Sequence, residues 1–218
     1  MPDNYDTPIF VKFLSQKRIE SFLAGNLYMP SLQHFIDLEE KKDKQGQGDK
    51  NEGSVSVFQN LITSPYMQTK ISLRYSPGYT NIPVFCIMLL SLNNDSKNYE
   101  LTREQYNEMR SFSKYCVVVY DIAEFIRRFE VACNQLKYEF KHMRVFYNGQ
   151  NLENDKAVKE MILGNEKYKS IFQKDKRFSL QNEYQFAIFE EIKCPLTLNI
   201  GNISDIAKQH TIDDFLIK

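Results

Sequence analysis

The segment from Phe178 to Phe189 constrains this chain more than any other, because polar and apolar residues alternate along it almost without interruption. Side chains on a β-strand point to opposite faces in turn, so Phe178, Leu180, Tyr184, Phe186 and Ile188 share one face with Asn182. The other face carries Ser179, Gln181, Glu183, Gln185 and Ala187. One apolar and one polar face predict a half-buried strand over the whole segment, with Gln-x-Glu on the solvated side.

The 218 residues are 42% hydrophobic and 13% aromatic, enough to bury a sizeable core, and their number suits a single domain spanning 1–218. Twenty-eight basic residues balance twenty-eight acidic ones, so no global charge steers the chain to nucleic acid or to an anionic membrane. A local basic patch is conceivable around Arg127, Arg128, Lys137, Lys141 and Arg144. Helical spacing, however, sets Arg128 against Glu124 and Arg127 against Glu130, which balances those charges internally.

The strongly apolar run Ile82 to Leu92 is about half the length of a bilayer span and holds Pro83, so it reads as a buried strand. The opening Met1-Pro-Asp-Asn-Tyr-Asp is polar and acidic, unlike a secretory signal, and a cytoplasmic protein is expected. Cys86, Cys116, Cys133 and Cys194 lie far apart, mostly among apolar neighbours, and suit small core residues rather than a disulfide framework. His34, His142 and His210 show no ligand spacing, so no metal is expected.

Along the chain, Ile9–Phe13 reads as a strand and Gln16–Ala24 as a helix with Ile19, Phe22 and Leu23 on its apolar stripe. Gly25-Asn26 stops that helix, and Leu27–Met29 is a second short strand. Ser31 then caps a helix through Leu32, Phe35, Ile36 and Glu39. The stretch 39–53 is charged and glycine-rich, a surface loop with the makings of a lid. Ser54–Thr63 and Tyr66–Tyr75 pair as strands, and a helix runs from Thr102 towards Met109.

Cys116–Tyr120 is a covered strand, and Asp121 opens a helix with Ile122, Phe125, Ile126, Phe129 and Cys133 inward. Arg144–Tyr147 reads as a strand, Leu152–Phe172 as largely helical, Leu196–Ile200 as a strand and Ser204–Lys208 as a short helix. Strands and helices mix without regular alternation. The expected fold class is therefore α+β, with mixed or mostly antiparallel sheets and packed helices.

The eight glycines make no G-x-G-x-x-G, and neither a P-loop nor a G-x-S-x-G elbow is present. What remains resembles a bacterial domain family of unknown function. The shared features are an aromatic-Lys-aromatic opening strand, Phe10-Val-Lys-Phe13, the run Leu23-Ala-Gly-Asn-Leu-Tyr-Met-Pro-Ser31, then Gly48-Asp-Lys-Asn-Glu-Gly53, Phe172-Gln-Lys and Gln181-Asn-Glu-Tyr-Gln185. That layout is similar to the ADP-ribosyltransferase fold, with its late Gln-x-Glu or Glu-x-Glu strand. Lys12 stands where such enzymes usually carry His or Arg, and Gln185 replaces a basic residue frequent in the unnamed family.

The resemblance implies NAD as substrate and cleavage of its nicotinamide–ribose bond, with ADP-ribose passed to an acceptor or to water. Glu183 would bind a ribose hydroxyl and stabilise the oxocarbenium-like transition state, as carboxylates do in glycoside hydrolysis, and Gln181 would orient the acceptor. Lys12 would neutralise the pyrophosphate, Tyr28 would stack on nicotinamide, and Ser31 would meet a phosphate. Asp49 and Glu52 would reach ribose hydroxyls when the 39–53 loop closes.

Each residue also has a plain structural role: Lys12 as a snorkelling edge residue, Tyr28 as core, Ser31 as a helix cap, and Asp49 and Glu52 as solvated charges. The alternative function is a non-catalytic recognition module, in phage defence or counter-defence, that binds a protein or a nucleotide. Nucleic-acid binding through the basic residues after Arg127 is a third expectation.

Overall fold

The computed structural model describes residues 7–40, 53, 55–64, 67–75, 78–93, 95–96, 98–148, 167–190 and 195–215. In chain order its elements are β1 (Ile9–Phe13), α1 (Gln16–Leu23), β2 (Asn26–Met29), α2 (Leu32–Glu40), β3 (Val55–Ser64) and β4 (Met67–Tyr75). There follow β5 (Val84–Leu90), α3 (Arg103–Phe112), β6 (Tyr115–Val119), α4 (Ile122–Leu136), β7 (Phe140–Arg144) and β8 (Phe146–Asn148). The last are β9 (Gln173–Asp175), β10 (Glu183–Ile188), β11 (Leu196–Asn199) and β12 (Ala207–Thr211), with 3-10 segments at Lys167–Phe172, Lys176–Gln181 and Ile212–Phe215. The fold is α+β.

The chain divides into two compact units. The first comprises Met1–Pro30, Ile82–Arg144 and Leu180–Lys218, and the second Ser31–Asn81 and Val145–Ser179. The first is built on a six-stranded sheet in the order β12-β6-β1-β5-β10-β7, antiparallel at every pairing, with β2 and β11 as a separate antiparallel ribbon. In the second, β3 and β4 form an antiparallel pair and β8 and β9 a parallel one.

The register of the six-stranded sheet defines two faces. Phe10, Phe85, Ile87, Val117, Val119, Phe186 and Ile188 lie on one, where Ile19 and Phe22 of α1 and Phe125, Phe129 and Cys133 of α4 cover them. Rings of Phe10, Phe125, Phe129 and Phe186 meet there edge-on or tilted, as aromatic quadrupoles prefer. Ile9, Val11, Met88, Leu90, Cys116 and Val118 lie on the other face, packed with Met109 of α3 and with Leu101 and Ile212.

Local signals set most of these elements. Thr102 closes a reciprocal capping box with Gln105 at the start of α3, and Asp121 caps α4 by accepting from the Glu124 N–H. After α1, Gly25 takes φ +86°, and any Cβ there would sit 1.8 Å from the carbonyl oxygen of Gly201. Only glycine fits both the turn and that close approach.

Four expectations are corrected. The alternating segment is strand only over Glu183–Ile188, since 176–181 is 3-10 and Asn182 between them takes φ +42°. Asparagine tolerates that left-handed conformation, and its side-chain amide donates to the Leu89 carbonyl, which fixes the break. The predicted strand at 144–147 is the junction of two, β7 in the first unit and β8 in the second. In place of a helix over 204–208 there is a turn and then β12, whose polar residues complete the sheet edge beside β6. The core reading of Tyr28 is overturned, since its side chain is exposed on β2. The helix expected over 152–172 lies outside the described residues except for its 3-10 end, and the 39–53 loop does so between α2 and Gly53.

Candidate functional site

Glu183 opens β10, opposite Met88 of β5, and Met88 in turn faces Val11 of β1. Glu183, Met88 and Val11 therefore share the sheet face on which α3 packs. That face is not solvated at Gln-x-Glu. Glu183 is 7% exposed and Gln185, two residues on, is 0% exposed. Neither polar atom of the Gln185 amide has a hydrogen-bond partner among the described residues.

Gln181 is buried too, but it sits in the 3-10 segment before the strand rather than on it. Its amide donates to Glu108 Oε1 at 3.0 Å, and Gln105 one turn earlier on α3 donates to the Leu180 carbonyl at 3.2 Å. Arg144 Nη2 donates to the Asn182 side-chain oxygen at 2.8 Å from the neighbouring β7. Helix α3 and the Asn182 turn thus hold Gln181 and Glu183 on the same side of the sheet.

Lys12 is placed elsewhere. It pairs with Val117 and alternates with Val11, so it emerges on the opposite face from Glu183. Its ammonium donates to the Cys86 carbonyl and lies 4.6 Å from the centroid of the Phe85 ring. The sheet itself separates Lys12 from Glu183, and the two do not line one pocket.

Tyr28 is on the outer side of the β2–β11 ribbon, 45% exposed, opposite Thr197. The Arg18 guanidinium of α1 stacks 5.1 Å from its ring centroid. Asn26 and Asn199 are the next facing pair, joined by a side-chain hydrogen bond of 2.7 Å. Ser31 belongs to the second unit, and its hydroxyl accepts from the His34 N–H at 3.2 Å as the cap of α2. Asp49 and Glu52 lie outside the described residues. In the second unit Lys174 is also buried, its ammonium 5.9 Å from the Phe35 ring.

The arginines of α4 are neutralised within the fold. Arg127 and Arg128 both donate to Glu124, and Arg128 reaches on to Asp205 and the Asn202 carbonyl. Hydrogen bonds from Arg127 and then Arg128 hold the Glu124 carboxyl at about 2, well below its ordinary 4.5. The expected Arg127–Glu130 pair is replaced by this one, because Glu130 faces His142 Nε2 at 3.1 Å. A shallow groove of about 490 Å³ runs beside these residues, lined by Glu124, Arg127, Arg128, Val131, Asn199 and Gly201.

Two clusters escape sequence spacing. His142 lies between Glu130 and the Tyr184 hydroxyl, the latter 2.8 Å from Nδ1. His210 lies between Asp214 and the Tyr120 hydroxyl, 2.7 Å from Nε2. Only the His210–Asp214 pair has a visible signal, the four-residue interval; Tyr184 on β10 and Tyr120 just after β6 are distant in sequence from their histidines. Burial pushes the Cys116 and Cys133 thiols up to about 12 and leaves them inert.

Among the described residues, no group of three or more His, Cys, Asp or Glu is placed to hold a metal ion, and no helix is long and apolar enough to cross a membrane. No protein-family model, curated protein or solved structure matches this chain.

Proposed function

We propose that the first unit is a non-catalytic recognition module for a protein partner, and that it binds through the outer side of the β2–β11 ribbon. The observation that carries this reading is a contrast in placement. Lys12 and Glu183, which the resemblance sets together around NAD, lie on opposite faces of the sheet, whereas Arg18, Tyr28 and Asn199 are exposed together around the half-buried Asn26.

Tyrosine and arginine are the residues on which interface energy concentrates, and a stacked pair loses little side-chain freedom when it is covered. Asn199 also lines the groove beside α4, which extends the same surface. Balanced charge within the Glu124, Arg127, Arg128 and Asp205 network favours a protein over a polyanion.

The second reading is NAD cleavage through Glu183, supported by Gln181 and Glu183 sharing the α3 side of the sheet. There Glu183 would offset positive charge developing on the ribose, without help from Lys12.

Chemical cross-linking of the protein in its native extract, compared with Tyr28→Ala and Arg18→Ala, tests recognition. One defined partner, captured by wild type and lost in both variants with unchanged melting, is the expected result. Capture that survives both substitutions removes the ribbon as the binding surface.

A further inference from the structure

We propose that Tyr120 is a covalent modification site, a phenol prepared to attack a phosphoryl electrophile with His210 as its base. This goes beyond the recognition reading and uses none of its residues. Tyr120 follows β6 and is 43% exposed, so an electrophile can approach it. Its hydroxyl lies 2.7 Å from His210 Nε2 on the neighbouring β12, within the reach a general base needs.

Burial is the main cause that raises the Tyr120 pKa, so the phenol keeps its proton at neutral pH and attack requires a base to remove it. Asp214 stands 3.7 Å from His210 Nδ1, too far for a hydrogen bond but close enough to favour the tautomer protonated there. That tautomer leaves the Nε2 lone pair facing the phenol. The Asp214 carboxylate is itself fixed by the Thr211 N–H at 2.8 Å. Nucleophile, base and orienting carboxylate are thus in sequence, Tyr120 just after β6, His210 on β12 and Asp214 in the 3-10 segment that follows it.

In the step, the Tyr120 oxygen forms a bond to phosphorus as the bond from phosphorus to its leaving group breaks. The leaving group departs with the bonding electrons, and the phenolic proton passes to His210 Nε2. His142 and Tyr184 make the same kind of contact but face the aromatic core, with Phe129 and Phe186 around the imidazole. Access, not only geometry, distinguishes the Tyr120 cluster.

An alkyl fluorophosphonate is the probe, with fluoride as leaving group and adducts located by peptide mass spectrometry. Tyr28 is the internal control, since it is equally exposed but sits beside Arg18 instead of a histidine. Labelling of Tyr120 about a hundredfold faster than Tyr28, reduced to the Tyr28 rate in His210→Gln, is expected from the usual size of general-base assistance. Equal rates at Tyr120 and Tyr28 in the wild-type protein would overturn the proposal without any variant. So would undiminished labelling in a His210→Gln protein that melts like wild type.

Discussion

The outer side of the β2–β11 ribbon and the Glu183 side of β10 are both strand faces carrying polar side chains at period two, yet one is open and the other closed. Asn26, Tyr28, Thr197 and Asn199 line the first, with Tyr28 and Thr197 exposed. Glu183, Gln185 and Ala187 line the second, and all three are buried. Alternation decides which residues share a face. It does not decide whether that face is covered, which depends on what the rest of the chain lays over it.

A charge placed on each face gives the sharpest contrast. Ala187→Glu puts an unpaired carboxylate on the buried side and is expected to cost about 3 kcal/mol or more, while Thr197→Glu on the ribbon should stay within about 0.5 kcal/mol. Urea denaturation of the two variants reads the difference directly. Similar losses in both would mean that the two faces are equally covered.

Gln185→Met probes the closed face from the other direction. A buried amide with neither atom hydrogen-bonded carries a desolvation cost that a thioether of similar length avoids, so the variant should be more stable by about 1 kcal/mol. A loss of stability would show that the amide has a partner in the folded protein.

The smallest effect concerns acid. Glu124 has a folded pKa of about 2 against an ordinary 4.5, so it contributes stability above the unfolded value, and this is lost as pH falls from 4.5 towards 2. Because the Glu124 network is at the surface, the contribution should shrink with added salt. Urea midpoints between pH 5 and 2 should fall less steeply in Arg127→Gln and Arg128→Gln than in wild type. Identical slopes would mean that neither arginine perturbs Glu124.

The elements read correctly are those fixed by near neighbours. The stripe of Phe125, Phe129 and Cys133 behind the Asp121 cap announces α4, and Ser31 announces α2. The covered run in β6 and the glycine stop after α1 are local in the same sense. The late start of β10 at Glu183 was not legible, because Phe178 and Leu180 keep the strand rhythm while Asn182 breaks the backbone. Nor was β12, whose Lys208, Gln209 and His210 lack an apolar face and become strand only by pairing with β6. Lys12 shows the deepest limit. Its residue type suited a phosphate, but its side of the sheet follows from the β1–β5–β10 register, which no single segment contains.

The measurement that tests the central claim most directly is calorimetric titration of the purified protein with NAD, with nicotinamide release followed in parallel and Glu183→Gln as control. The separation of Lys12 from Glu183 predicts no saturable heat and no nicotinamide above the buffer rate. Saturable NAD binding, with release that disappears in Glu183→Gln, would contradict the account and restore Glu183 as a catalytic residue.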